Sequence, residues 1–289
     1  MNFVFLLKTY TDARIRKISK ERIQAELDKR NIIIVAGFQG INSFGDVTTL
    51  GRGGSDTSAV ALAAAFHADL CQIYTDVDGV YTADPRVVPN AKKLPEITFA
   101  DMLELASQSA QVLHNRSVEL AKKYHVNMEV VSSLKNIPGT KVKEVIKLEK
   151  TNIGGVAKMD NFARFSLVGL EDCPGVAFKV FSLLSRHNVN VDIILQSVGR
   201  GGSKDISFTC PLSSLDDARR VLEENKDMLE YDSIEVDDNV AKISLVGAGM
   251  MTHVGVASDM FEALYDAGIN IQMIATSEIR ISVLVNKDD

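Results

Sequence analysis

The stretch Thr48-Thr-Leu-Gly-Arg-Gly-Gly-Ser-Asp-Thr-Ser58 leads without a break into the alanine-rich run at residues 59–65. A glycine-rich turn that ends on Ser, Asp and Thr and is followed by strong helix formers reads as a loop entering a helix. Ser55 is the expected N-cap, with Asp56 and Thr57 in the first turn. A helix this poor in charge is expected to be buried. Upstream, residues 22–30 place Ile23 and Leu27 on one face of an amphipathic helix. Residues 32–35 are all apolar, the pattern of a parallel strand covered on both faces. Downstream, residues 70–74 read as a second buried strand. Strand, Gly-rich turn, helix and strand form the alternation of an α/β fold with a mostly parallel sheet.

The same turn carries chemistry. Free backbone N–H groups at a helix N-terminus attract anions. Arg52 suits a carboxylate through two parallel hydrogen bonds, and Asp56 suits an ammonium. It is not a Walker A loop, which needs a Lys and a hydroxyl residue after its last Gly. Read alone, the loop is equally compatible with a purely structural turn. A second polar cluster, Thr75-Asp-Val-Asp-Gly-Val-Tyr-Thr-Ala-Asp-Pro-Arg86, follows the strand at 70–74. Ligand sites in open α/β sheets lie beyond the carboxyl ends of strands. Arg86 suits a phosphate; Asp76, Asp78 and Asp84 suit a ribose hydroxyl or a magnesium ion. Residues 76–79 by themselves also read as a tight turn.

The C-terminal half repeats itself. Ala163-Arg-Phe-Ser-Leu-Val-Gly169 is echoed by Ala241-Lys-Ile-Ser-Leu-Val-Gly247, Pro174-Gly-Val-Ala177 by Val254-Gly-Val-Ala257, Asn190-Val-Asp-Ile-Ile194 by Asn270-Ile-Gln-Met-Ile274, and Ile206-Ser-Phe208 by Ile281-Ser-Val283. The first copy carries a Gly-rich insertion at 199–203. Each copy reads as strand, helix and two strands. In the first, Val176, Phe178, Val180, Phe181 and Leu184 suit one helical face, residues 189–195 and 206–210 read as strands, 215–225 as a second helix and 234–236 as a closing strand. The second repeats this through a helix at 256–265 and strands at 269–274 and 279–285. This is a βαββαβ unit and part of another.

Composition bounds the rest. With 289 residues and roughly 150 per domain, about two domains are expected. A net charge of −6 is a poor match to nucleic acid, which usually meets a basic face. The longest apolar runs, 32–38 and 59–66, are far short of the roughly 20 residues needed to span a bilayer. The apolar run at 1–7 is too short for a signal-peptide core. A soluble, cytoplasmic chain with neither nucleic acid nor membrane as partner is therefore expected. Cys71, Cys173 and Cys210 are odd in number and widely spaced, so no disulfide framework or thiolate metal site follows. The scattered histidines form no metal-binding pair, and no resident metal centre is expected.

Taken together, Val35-Ala-Gly-Phe-Gln-Gly40, residues 48–59, residues 74–86, Leu103-Glu-Leu-Ala-Ser107, Val112-Leu-His114, Arg116-Ser-Val-Glu-Leu-Ala-Lys-Lys-Tyr124 and Thr276-Ser-Glu-Ile-Arg-Ile-Ser282 closely resemble the aspartokinases. The repeat, with Asp172-Cys-Pro-Gly175 before its helix and Asn190-Val-Asp192 after it, resembles a tandem pair of ACT domains. The resemblance implies a partial amino-acid-kinase fold (an αβα sandwich) at residues 1–148, a first ferredoxin-like ACT unit with its linker strand at 149–238, and a second, truncated one at 239–289. It implies transfer of the ATP γ-phosphoryl to the side-chain carboxylate of L-aspartate, with Mg2+, in lysine, threonine and diaminopimelate biosynthesis. Arg52, Gly53, Gly54 and Ser55 are then expected to bind aspartate, and Asp56 its ammonium, with Arg52 and Asp56 as the catalytic pair. Thr75, Asp76, Tyr81, Thr82, Ala83, Asp84, Pro85, Arg86 and Gln111 are expected to contact ATP. Lysine or threonine, or both, are the expected effectors, held by Asp192, Gln196, Ser197, Asp205, Ile206 and Ser207 in one copy and by Asn270, Ile271, Gln272, Ser277 and Glu278 in the other. A homodimer or hetero-oligomer through the ACT units is the expected assembly.

Several features depart from the family. The Lys-Phe-Gly-Gly-Thr-Ser segment that opens its members is not found, and on the order of a hundred residues of early βα units are expected to be missing, against an ordinary domain size. Gln111 stands where many relatives carry a Lys near the phosphates, and a neutral amide does not replace that charge. Asn115 replaces a common Pro and Ser109 a common Gly. The last helix and strand of the second ACT unit are not found, and residues 152–158 are the candidate for a strand lent to it. A weakly active or inactive piece of a kinase is therefore expected. The alternative is a non-catalytic regulatory subunit that binds an amino acid.

Overall fold

The computed structural model describes residues 4–6, 10–108, 112–144, 153–198, 202–251 and 255–289. The chain divides into two compact units, Met1–Ala157 with Leu245–His253, and Lys158–Ser244 with Val254–Asp289. No described helix is long and apolar enough to cross a membrane.

The first unit runs through β1 (Val4–Leu6), β2 (Ile15–Ile18), α1 (Glu21–Leu27), β3 (Gln39–Ile41), β4 (Val47–Thr49), α2 (Gly54–Phe66), β5 (Cys71–Thr75), β6 (Glu96–Thr98), α3 (Phe99–Ser107), α4 (Asn115–Tyr124), β7 (Met128–Ser132) and β8 (Thr140–Lys143). Its strands form two sheets, ordered β2-β1-β3-β4 and β5-β7-β8-β6. Parallel pairing joins β1 to β3, β5 to β7 and β6 to β8, with antiparallel neighbours in each sheet. Alternate residues of β5 and β7 face α2, α3 and α4, so Val60, Ile73, Met102, Val118 and Met128 share one core.

Two expectations fail here. Residues 32–35 belong to no strand, and Ile32 and Ile34 are 97% and 96% exposed. They pair with no strand among the described residues and line an open cavity with Val4, Ile23 and Gly40, and without a ladder an apolar run is not held as a buried strand. The strand at 70–74 is buried on one face only. Cys71 and Ile73 point inward, while Leu70 and Tyr74 are exposed, because the helices cover a single side of that sheet.

The second unit contains β9 (Gly155–Glu171, its first residues in the first unit), α5 (Val176–Arg186), β10 (Ile194–Val198), β11 (Ser203–Pro211), α6 (Leu215–Glu224), α7 (Lys226–Leu229), β12 (Ser233–Val246), α8 (Val256–Asp266), β13 (Met273–Thr276) and β14 (Arg280–Asn286). One six-stranded sheet, β10-β11-β9-β12-β14-β13, runs through both copies of the repeat. The echoed Ala–Gly segments sit on β9 and β12, its two central strands. The repeat reaches individual bonds: Ser166 Oγ lies 2.8 Å from Ser207 Oγ, and the equivalent Ser244 Oγ lies 2.8 Å from Ser282 Oγ. Phe165 stacks on Phe208 at 5.3 Å between centroids, with Phe181 edge-on to it.

Here the sequence pattern errs at strand starts and on one helix face. β10 and β13 begin at Ile194 and Met273, several residues later than expected, although Val189 and Ile193 are buried. The closing strand at 234–236 is not separate; it is the start of β12. Val176, Val180 and Leu184 line the buried face of α5, but Phe178 is 74% exposed, since 100° per residue turns it away from Val176. Of the candidate lent strand, Asn152 lies outside the described residues, and from Gly155 it is the opening of β9. Part of the Gly-rich insertion, residues 199–201, also lies outside them.

Candidate functional site

β4 ends at Thr49, and the chain turns through Leu50, Gly51, Arg52 and Gly53 into α2. Gly53, not Ser55, caps the helix, in the left-handed region at φ +68°. That conformation costs any residue with a Cβ roughly 1–2 kcal/mol. Crowding adds to it, because a Cβ on Gly53 would fall on the side chain of His114, 2.7 Å even from Cδ2. Ser55 is exposed in the first turn, and Asp56 sits in that turn as expected. The first turn is locked from inside: Thr57 Oγ1 donates to Gly53 O at 3.1 Å and Ser58 Oγ to Gly54 O at 2.8 Å.

Arg52, Gly53 and Asp56 line a cleft of about 520 Å³, completed by Ala106 and Ser107 of α3 and by Leu113, His114 and Asn115 at the start of α4. Of the latter five, Ala106, Ser107, Leu113 and His114 were quoted above as motif residues without a role, and Asn115 as a departure from the family. They lie some fifty or more positions along the chain, so no local spacing could assign them to the cleft. His114 stands beside the Asp56 carboxylate, its backbone N–H and its imidazole both favouring the charged form. Burial nevertheless holds the Asp56 carboxyl above its ordinary range, the two His114 contacts only partly offsetting it. Burial, aided by the Asp56 charge, also pushes the Cys71 thiol up to about 11, so it is not a nucleophile at neutral pH.

The Asp56 shift has a sign that can be checked. A carboxyl that holds its proton more tightly in the folded state makes stability fall as pH rises through its titration, and the loss is complete above the folded pKa. Asp56→Asn is therefore expected to melt higher than the wild type at pH 7 but not at pH 3.5, while losing affinity for an ammonium-bearing ligand. Paired melting curves at the two pH values check this; a variant destabilised at pH 7 alone contradicts it.

The second expected cluster follows β5. Thr75 Oγ1 donates to Asp76 Oδ1 at 3.0 Å, and Ser133 binds the Thr75 carbonyl from β7's end. Val80 N donates to the buried Thr140 Oγ1 at 2.9 Å, fixing the turn from behind. Thr82 pairs with Lys92 through both backbone and hydroxyl. Asp84 and Arg86 form a two-bond ion pair, with Arg86 Nη2 2.7 Å from Asp84 Oδ2, and this holds the Asp84 carboxyl below its ordinary range. Lys135 sits 3.2 Å from both Asp78 oxygens. Tyr81, Ala83 and Pro85 lie along this segment. None of residues 75–86 lines the cleft at Arg52. Gln111 lies outside the described residues. No group of three His, Cys, Asp or Glu among the described residues is placed to hold a metal ion.

The expected effector residues fall at the two edges of the six-stranded sheet. β10 pairs with β11 so that Gln196 faces Ile206, Ser197 faces Asp205 and Leu195 faces Ser207. Asp205 accepts from Gly169 N at 3.0 Å and from Ser197 Oγ at 3.4 Å. The Ile206 side chain is fully buried in the core, so only its backbone faces that edge. Asp192, expected to meet a ligand ammonium, meets the ammonium of Lys242, which is 3% exposed and stands 4.7 Å over the Phe162 ring. Asn270, Ile271, Gln272, Ser277 and Glu278 flank β13 at the opposite edge, with Gln272 Oε1 buried and without a hydrogen-bond partner among the described residues.

Residues 2–132 match the amino acid kinase family, and residues 165–225 and 243–289 match the ACT domain family. The aspartokinase of Corynebacterium glutamicum is 48% identical over 292 residues, covering 99% of this chain and 69% of that protein. The aspartate kinase of Pseudomonas putida is 48% identical over 281 residues, covering 96% and 68%. Among solved structures, Clostridium acetobutylicum aspartate kinase superposes with a TM-score of 0.85 at 28% identity, over 100% of this chain and 66% of that one. E. coli aspartokinase III in complex with aspartate and ADP gives 0.82 at 30% identity, over 100% and 65%. The chain thus spans about two thirds of the length of these proteins. With the Gly-rich cleft in one unit and the repeated ACT sheet in the other, the chain belongs to the aspartokinase family, kinases that carry ACT domains behind an amino-acid-kinase domain.

Proposed function

We propose that this chain transfers the γ-phosphoryl of ATP to the side-chain carboxylate of L-aspartate, giving 4-phospho-L-aspartate, in amino-acid biosynthesis. The observation that carries the reading is the cleft in which Arg52, the Gly53–Gly54 turn at the N-terminus of α2 and Asp56 come together. It offers a cation and helix N–H groups for carboxylate and a carboxylate for ammonium, the charged groups of an amino acid. A structure of an E. coli relative in complex with aspartate and ADP supports the ligand pair.

The acceptor carboxylate is ionised at neutral pH, with a pKa of about 3.9, so no general base is needed. The work of the protein is to hold two anions together and offset the charge between them. Arg52 and the α2 N-terminus orient aspartate, and Gly54 and Ser55 contribute backbone N–H groups. Thr75, Asp76 and residues 81–86 contact the nucleotide, with Arg86 exchanging Asp84 for phosphate. Magnesium, when bound, neutralises phosphate charge. Asp78 and Asp84 each face a cation, Lys135 and Arg86, so Asp76 is the carboxylate of this segment that suits a nucleotide-borne ion. Lysine or threonine, or both, act as effectors at the ACT sheet edges, and those edges, β10 and β13, join copies or partner subunits. A relative's structure in complex with lysine and aspartate supports that assignment.

Trapping the acyl phosphate with hydroxylamine tests the reaction. Hydroxamate is expected to appear only when ATP, magnesium and L-aspartate are all present. Turnover is expected to be slow with Gln111 and to rise roughly tenfold or more in Gln111→Lys, which restores a cation for the phosphates. ADP release indifferent to L-aspartate would overturn the reading.

A further inference from the structure

Arg116 lies in the first turn of α4 and does not line the cleft. Its side chain is 23% exposed. Nη1 donates to Leu50 O at 2.7 Å and to Asp12 Oδ1 at 2.8 Å, and Nη2 donates to Ala13 O at 2.9 Å. Leu50 O is the last carbonyl before Gly51-Arg52-Gly53, and Leu50 and Ala13 are both fully buried. Residues 10–13 run beside β4, with Thr49 N donating to Tyr10 O and Ala13 N to Thr49 O. One guanidinium therefore ties together two backbone segments at the point where the strand gives way to the loop. On the loop's other flank, His114, two residues before Arg116, packs on Gly53 and stands beside the Asp56 carboxylate. The start of α4 thus grips the loop at Leu50, Gly53 and Asp56, and of these grips Arg116 alone lies outside the cleft lining.

We propose that Arg116 is a positioning residue for the amino-acid site: by holding the Leu50 carbonyl it sets where the Arg52 side chain and the Gly53–Gly54 N–H groups are presented to the ligand's carboxylate. This rests on reading the cleft as the L-aspartate site. The fork geometry matters, because three acceptors approach one planar group. A Lys ammonium on a single flexible stem does not reproduce that spread.

Hydrogen–deuterium exchange on the full chain without ligand, combined with calorimetric titration of L-aspartate, tests the proposal. Arg116→Met is expected to speed amide exchange across residues 51–56 at least tenfold while leaving β7, β8 and the second unit unchanged. It is also expected to weaken L-aspartate at least tenfold, with the affinity for a non-hydrolysable ATP analogue unchanged. Arg116→Lys is expected to fall between. Wild-type exchange at 51–56 in Arg116→Met overturns the proposal, as does an equal loss for L-aspartate and the ATP analogue. Should Arg116→Met exchange rapidly throughout, Arg116→Lys decides by the same loop-against-β7 comparison. A folded wild type that takes up no L-aspartate sinks the ligand assignment, and the exchange comparison still decides whether Arg116 positions the loop.

Discussion

Gly53→Ala is expected to lower both L-aspartate affinity and phosphoryl transfer by about 100-fold or more, on the scale of a small misplacement of reacting groups. Two costs act together. The left-handed conformation at φ +68° disfavours any Cβ by roughly 1–2 kcal/mol. The added methyl would also occupy the space of the His114 side chain, so either the loop or the start of α4 must move. Arg52 and Asp56 sit on either side of this residue, and neither keeps its place when it shifts. The two costs are separable. His114→Gly removes the atoms that clash, so Gly53→Ala/His114→Gly is expected to recover most of the steric part and none of the conformational part, a non-additivity that a double-mutant cycle reads directly. Strict additivity would show that His114 does not press on the loop.

Asp192→Ala is expected to cost about 1.5–3 kcal/mol, the range for losing a hydrogen bond to a charged group. The reason lies in the unequal burial of the two groups. Lys242 is 3% exposed, whereas the Asp192 side chain is 31% exposed. Removing the carboxylate takes an ion-pair partner from an ammonium held away from water. Removing the ammonium leaves a carboxylate that water still reaches. Lys242→Met, which keeps the packing over Phe162, is therefore expected to cost far less than Asp192→Ala. Urea unfolding of the two variants measures the asymmetry, and equal losses would contradict it. The pair also bears on regulation: an effector ammonium that uses Asp192 must share its carboxylate with Lys242 or displace it.

The sequence was most informative where local pattern and packing agree. The repeat read from residues 163–169 and 241–247 corresponds to the two central strands of one sheet, down to matching Ser–Ser bonds. The Gly-rich turn before α2 was legible because glycine and a following helix leave few alternatives. Its cap was misplaced by two residues, since Ser55 has the better capping side chain but Gly53 alone accepts the backbone conformation beside His114. The apolar run at 32–35 shows the limit of pattern: it records what a segment suits, and burial also needs a neighbour to cover it. The part of the cleft made by Ala106, Ser107, Leu113, His114 and Asn115, and the Arg116 clamp, depend on contacts between residues some fifty to a hundred positions apart, which no spacing rule reaches. No local spacing singles out Lys242, because its partner stands fifty residues away in the other copy of the repeat.

Calorimetric titration of L-aspartate into the full chain, the Arg52→Ala variant and the Asp56→Asn variant bears on the cleft most directly. The wild type is expected to bind at millimolar affinity or tighter, worth about 4 kcal/mol. Arg52→Ala, which loses the carboxylate's cation, and Asp56→Asn, which loses the ammonium's partner, are each expected to bind at least tenfold more weakly. N-acetyl-L-aspartate, which lacks the ammonium, is expected to give no saturable heat with the wild type. A folded wild-type chain that gives no heat with L-aspartate, or an Arg52→Ala variant that binds it as tightly as the wild type, would contradict the assignment of this cleft as the amino-acid site.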